Sequence, residues 1–310
     1  MTESVLQHQT RLTQNPSPNA IVWIRRLVWK IAIATLLLMA IGSATRVMNA
    51  GLACPDWPLC YGQLVPSQQM NLQVFLEWFH RLDAALIGFS TIALVGLSVW
   101  FRSILPKWLP WASLLALGLI VFQGVLGGLT VTQLLRFDIV TAHLGTALLF
   151  FATLIIIAIN LTPYQGTGVA HQLKWFGLTA AVLIYLQSLL GGLVGSRWAV
   201  HQCLADSHLC IVMNSHLLGV IPATLSTLIV VYLAWRTPGL HQGLRKLAYS
   251  AFCLVFLQIL LGVATLRLHL QVEPLTVAHH TVGAALFGTL VAFTALSFRD
   301  RLLPILPKMV

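Results

Sequence analysis

Charge is scarce in this chain. Only 8% of its 310 residues are Asp, Glu, Lys or Arg, against about 25% in a soluble domain, which excludes a surface that faces water on all sides. Acidic residues are the rarer sign, eight against 18 Lys and Arg. Other signals are missing too. Neither cysteine pair has the spacing of a CxxC metal site. Residues 1–26 lack an apolar core with a small-residue cleavage site and hold few arginines, so neither a cleavable signal nor a transit peptide is expected. No broken helix or midplane charge cluster marks a transporter.

What the chain has instead is hydrophobicity. It is 58% apolar, with a mean hydropathy of +0.85. Eight apolar stretches, near 27–48, 74–101, 110–132, 139–160, 173–195, 211–235, 246–266 and 275–298, approach or exceed the roughly 20 residues that cross a 30 Å hydrocarbon core. The expected fold is an all-α membrane protein with eight transmembrane helices. The net charge of +10 is a matter of topology. With the N-terminus cytoplasmic, only Arg46, Arg81, Arg136, Arg197 and Arg267 of the 18 basic residues fall on the opposite side, a positive-inside distribution. The expectation is therefore a multi-pass protein of a bacterial inner-type cell membrane, embedded in lipid, with both termini cytoplasmic and no nucleic-acid partner.

The chain also repeats itself. Gln123-Gly124-Val125-Leu126-Gly127-Gly128 in the third segment returns as Gln187-Ser188-Leu189-Leu190-Gly191-Gly192 in the fifth and as Gln258-Ile259-Leu260-Leu261-Gly262 in the seventh. Ala142-His143 and Ala278-His279 follow the third and seventh copies. Such self-similarity marks an internal repeat of helix pairs and divides the chain into a 1–26 N-terminal segment, a four-helix half at 27–165 and a second at 166–310. The glycines read as points of close helix approach that also leave room for a flat macrocycle.

Four histidines occupy matching places. His80, His143, His216 and His279 each enter an even-numbered helix about four to six residues from its outer end, roughly 6–9 Å deep at 1.5 Å per residue. An imidazole buried in a membrane helix is costly and reads as functional. Four at one depth look like axial ligands for haem, two per iron. His280 competes with His279, since adjacent helical residues point about 100° apart; alignment on the preceding alanine favours His279. His8, His171, His201, His208, His241 and His269 fall in loops, tails or helix ends.

Glu77 lies three residues before His80, on nearly the same helix face, where a carboxylate can accept a proton or orient a ligand; the plainer alternative is an interfacial pair with Arg81. Asp83 is a weaker candidate for a supporting contact. Arg46, Arg197 and Arg267 follow Gly42, Gly192 and Gly262 by four or five residues and are candidate partners for haem propionates, or else snorkelling anchors; the third segment has Thr132 and Gln133 there. Cys54 with Cys60, and Cys203 with Cys210, lie in outer loops on the oxidising side, where disulfides persist; free thiols are the alternative. Cys253 reads as a small buried hydrophobe.

Together Glu77-x-x-His80-Arg81, the loop Asn49-x-Gly51-Leu52-x-Cys54-Pro55-Asp56-Trp57-Pro58-Leu59-Cys60, the glutamine–glycine repeat and the three further histidines resemble the haem A synthase family over roughly residues 27–298. The resemblance implies eight helices in two pseudo-symmetric four-helix bundles, a haem b cofactor, and oxidation of the methyl at pyrrole carbon 8 of haem O to a formyl group, giving haem A for terminal oxidase biogenesis. It implies that His80 and His143 bracket the substrate haem, that His216 and His279 (or His280) hold haem b, that Glu77 is the catalytic carboxylate, and that Cys54 and Cys60 are the outer-loop pair. Haem O synthase and an electron donor of unspecified identity are implied as partners, and a homo-oligomer is compatible with it. The competing expectation is a bis-histidine cytochrome relaying electrons from quinol, which predicts ligands in both leaflets.

Overall fold

The computed structural model describes residues 18–195, 210–268 and 271–300. Eight long helices account for most of them: α1 (Pro18–Val47), α2 (Leu72–Trp100), α3 (Leu109–Thr132), α4 (Phe137–Asn160), α5 (Leu173–Val194), α6 (Ile211–Arg236), α7 (Gln242–Arg267) and α8 (Glu273–Arg299). All eight are long and apolar enough to cross a membrane. The described residues contain no strand, only a bridge between Cys60 and Gln63. The expected all-helical class and helix number hold. Asn71 caps α2 by accepting from the Val74 amide at 3.0 Å, and prolines near the starts of α3 and α8 sit where a missing N–H costs nothing.

The first helix begins nine residues earlier than its hydropathy indicates. Arg25, Arg26 and Lys30 lower the local average, but Ile24, Val28 and Ile31 share one face and are 0–2% exposed. Burial along one face keeps the helix going, and Arg25 donates to the Leu161 carbonyl. Residues 18–26 are thus part of α1 and not a separate tail.

In the first half α1 packs on α2 and α4, α2 on α3, and α3 on α4; in the second α5 packs on α6 and α8, α6 on α7, and α7 on α8. The halves meet where α8 touches α1 and α4, and α4 touches α5. Burial follows from this: 67% of the most apolar stretch of α8 and 50% of that of α4 is buried, against 17–33% for the other six. α4 and α8 form the centre, and Gly288 lets them cross closely, since a Cβ there would stand 2.6 Å from Phe151. The outer helices turn large apolar side chains such as Phe89, Trp111 and Phe256 outward, as suits contact with lipid. Cys253 also lies on such an exposed face, correcting its expected burial: Ala248, Ala251 and Val255 take the inner face of α7.

At the end of the bundle away from the histidines, Asp300 latches the inter-half linker. Its buried carboxylate accepts from the Tyr164 hydroxyl at 2.8 Å, the Thr167 amide at 2.6 Å and the Ala170 amide at 2.8 Å. Burial by itself raises the pKa of this group, but the hydrogen bonds outweigh it and hold the carboxyl below the usual range.

Candidate functional site

The four histidines are seated in one recurring way. Each even helix lays its imidazole on a glycine of the preceding odd helix. A Cβ on Gly42 would stand 2.8 Å from Cε1 of His80, on Gly127 3.4 Å from that of His143, on Gly191 3.0 Å from that of His216, and on Gly262 2.9 Å from that of His279. At three of these positions a methyl group would force the ring to move. The glycines expected to admit a macrocycle therefore have a more local task, which is to make room for the ring itself.

The glutamines four residues before those glycines lie one turn along the same face and complete the cradle. Gln123 donates to the His143 carbonyl at 2.9 Å, and Gln187 to the His216 carbonyl at 2.7 Å. Gln187 also meets His216 Nδ1 at 3.0 Å, and Gln258 meets the ring of His279 at 3.3 Å. Leucine replaces glutamine at position 38, so the His80 cradle alone has no amide. Nδ1 of His80, His143 and His279 is buried without a hydrogen-bond partner. Orphaned imidazole nitrogens on apolar walls are costly unless something else meets the ring.

In the second half the rings of His216 and His279 lie 6.5 Å apart, centroid to centroid, at an interplanar angle of 83°. Two imidazoles on one metal, each bonded at about 2.0–2.1 Å with the ring centre roughly 1.1 Å further on, stand about 6.3 Å apart. The observed centroid separation is close to that value. No group of three or more His, Cys, Asp or Glu side chains able to hold a metal occurs among the described residues.

The tandem histidines have different neighbours. His279 lies on Gly262, whereas His280 Nδ1 is 2.8 Å from the Ser43 hydroxyl of α1. The residue following the corresponding first-half histidine is Leu144, and it meets Gly192 of α5, where a Cβ would stand 2.8 Å from its Cδ2. Gly42-Ser43 corresponds to Gly191-Gly192, so both post-histidine residues perform the same task of joining one half to the other.

Glu77 lies on the side of α2 that meets the outer loop. Val74, Glu77, Trp78 and Arg81 form one face of α2, and that face carries the 48–71 loop. Val74 and Trp78 pack on Cys54 and Cys60, which are joined by a disulfide. Glu77 is 4% exposed; its Oε2 accepts from the Cys54 amide at 2.8 Å and its Oε1 from Arg81 at 2.6 Å. The Arg81 guanidinium in turn donates to the carbonyls of Cys54, Asp56 and Leu59. The ion pair weighed against a catalytic carboxylate is present, and it is a buried clasp.

The loop closes on itself at Tyr61-Gly62, both at positive φ, which fits the tight turn that pairs Cys60 with Gln63. The Asp56 carboxylate accepts from the Tyr61 and Gly62 amides at 2.6 and 2.7 Å. The Gly62 hydrogen bond is the main cause that holds its pKa below the ordinary carboxylate value. Trp57 then lies on Gly128, where a Cβ would stand 3.3 Å from the indole, one residue from the seat of His143. Nothing in the sequence pairs Trp57 with Gly128; only the fold brings them together.

Of the candidate propionate partners, half-buried Arg46 donates to the Gly192 carbonyl at 3.1 Å and so ties α1 to α5, while Arg267 is exposed at the end of α7. Arg197 and Cys203 lie outside the described residues. Cys210 is disulfide-bonded. Asp83 is half-buried in α2, one turn beyond His80.

The chain is similar in sequence to proteins named haem A synthase. The chain is 28% identical to a haem A synthase of Shewanella oneidensis, with 86% of this chain and 95% of the relative covered. It is 26% identical to one of Caulobacter vibrioides over 86% and 94%, and 25% identical to one of Lysinibacillus sphaericus over 86% and 93%. The model of the COX15-CtaA family matches residues 25–291, and with that span of match the chain belongs to the COX15-CtaA family of cytochrome oxidase assembly proteins.

Proposed function

We propose that the chain is a haem A synthase, an oxidoreductase that converts the C8 methyl of haem O to a formyl group. The observation that carries this reading is the fourfold histidine-on-glycine seat, which sets four imidazoles toward one end of the bundle. His216 and His279 hold a haem b cofactor in the second half, a reading supported by their neighbouring rings, 6.5 Å apart centroid to centroid. His80 and His143 bracket the substrate haem in the first. Bound haem supplies the one-electron chemistry; the protein fixes the rings, excludes water and manages protons. Gln187 and Gln258 orient the cofactor pair from behind, a supporting contact typical of ligating histidines.

The same reading relates the two halves by a pseudo-twofold axis through the α4–α8 contact. It places the histidine end of the bundle outside, with both termini cytoplasmic in the cell (inner) membrane. Haem O synthase and a separate electron donor are the partners such a reaction calls for. A quinol-oxidising cytochrome is not favoured, because all four histidines lie toward the same end of the bundle. Pigment extraction from the purified protein tests the proposal: haem b together with haem O or haem A is expected, and haem b alone, even after loading with haem O, would defeat it.

A further inference from the structure

The 48–71 loop is held by more contacts than a connection between two membrane helices requires, and the contacts converge on one ring. Glu77 and Arg81 use both carboxylate oxygens and both guanidinium ends on the main chain of Cys54, Asp56 and Leu59 or on each other. The Cys54–Cys60 bond closes the segment between them. Trp57, at the middle of that segment, lies on Gly128 beside the His143 seat. Its indole remains 48% exposed, so the ring covers helix α3 on one side and leaves the other free.

We propose that Glu77, Arg81 and Trp57 are positioning residues for the substrate haem: the ion pair seats the disulfide-closed loop, and the loop holds the Trp57 indole as the wall that closes the first-half histidine pair from outside. This rests on the function proposed above and revises the part Glu77 plays in it. Both oxygens of Glu77 are taken by the Cys54 amide and by Arg81, so its charge acts through the loop rather than on the substrate. Burial makes the pair demanding: removing one partner leaves the other uncompensated in a dry site. Lysine cannot replace Arg81, because a single ammonium cannot reproduce a planar fork that spans three carbonyls and a carboxylate. A flat aromatic wall beside the ligand pair suits a porphyrin, whose apolar face gains from stacking on an indole.

The test uses the full chain in detergent, with wild type, Glu77→Gln, Arg81→Lys, Trp57→Ala, Trp57→Phe and Gly128→Val. Gly128→Val displaces the indole from the α3 side and leaves the clasp intact. Two readouts are taken on the same samples: haem O binding and turnover, and hydrogen exchange at the amides of residues 54–63. Glu77→Gln and Arg81→Lys are expected to speed loop exchange. All variants except Trp57→Phe are expected to raise the KM for haem O, on the order of tenfold for loss of one large buried ring contact. Turnover at saturating haem O should remain close to wild type, and the haem b spectrum unchanged.

Glu77→Gln with wild-type loop exchange and wild-type KM but abolished turnover would overturn the proposal and make Glu77 a group acting on the substrate itself. Wild-type KM in both Trp57→Ala and Gly128→Val would overturn the role of the indole. If the wild-type chain takes up no haem O, the function proposed above fails; loop exchange still decides whether the clasp exists.

Discussion

The imidazoles of His216 and His279 face each other at 6.5 Å and nearly at right angles. Their two helices do not supply that geometry alone. Gly191 and Gly262 make room for the rings, and Gln187 and Gln258 brace them from behind. On the proposed haem b reading, two axial imidazoles held with nearly perpendicular planes would leave the π-type iron orbitals close in energy and the ferric state with a large orbital moment. The purified protein is predicted to show a low-spin ferric haem with a strongly anisotropic electron paramagnetic resonance signal. His279→Ala should remove it. His280→Leu, which copies Leu144 at the corresponding place, should leave it unchanged; loss of the signal in His280→Leu with retention in His279→Ala would reassign the ligand.

The glycine seats give a second prediction, in which one methyl group separates the two sites. Gly262→Ala brings a Cβ to 2.9 Å from His279, and Gly42→Ala brings one to 2.8 Å from His80. Gly262→Ala should deplete haem b from the purified protein. Gly42→Ala should retain haem b and lower conversion of haem O by tenfold or more, the effect of a ring displaced by a fraction of an ångström at a reacting centre. Optical spectra and haem chromatography on the two variants check this. Equal haem b loss in both would contradict a division of labour between the halves.

Much of this site was legible in the sequence, because its parts recur. The glutamine–glycine motif and the alanine–histidine pairs repeat at helical spacing, and repetition in a chain so poor in charge marks the candidate ligands. Helix number followed from hydropathy, but the start of α1 did not, because a window average cannot see that Ile24 and Val28 share a buried face while Arg26 points outward. The loop contacts of Glu77 were not legible for a related reason: nothing local to α2 signals that Val74, Glu77, Trp78 and Arg81 carry the 48–71 loop. Contacts between distant segments, such as Trp57 with Gly128 and Ser43 with His280, have no local signal at all.

The latch at Asp300 gives a stability prediction. Asp300→Asn replaces one acceptor oxygen with a donor that faces amide donors, and should lower stability by about 1–3 kcal/mol at neutral pH. The pKa of Asp300 is depressed in the folded chain, so the unfolded chain binds its proton first as pH falls. The stabilisation is therefore full above the ordinary carboxylate range near pH 4 and is lost as pH drops through the lowered value. Thermal unfolding in detergent should show a gap between wild type and Asp300→Asn that is widest at neutral pH and closes in acid. A gap that stays constant with pH would show that the carboxylate charge plays no part.

The most direct measurement of the central claim is the haem content of membranes from a bacterial host that makes haem O but not haem A. Expression of the wild-type chain is predicted to convert part of the haem O to haem A, read by chromatography of extracted pigments, and His143→Ala is predicted to leave haem O unconverted while haem b stays bound to the chain. Membranes that contain the wild-type chain with its haem b, are supplied with haem O, and still yield no haem A would contradict the account.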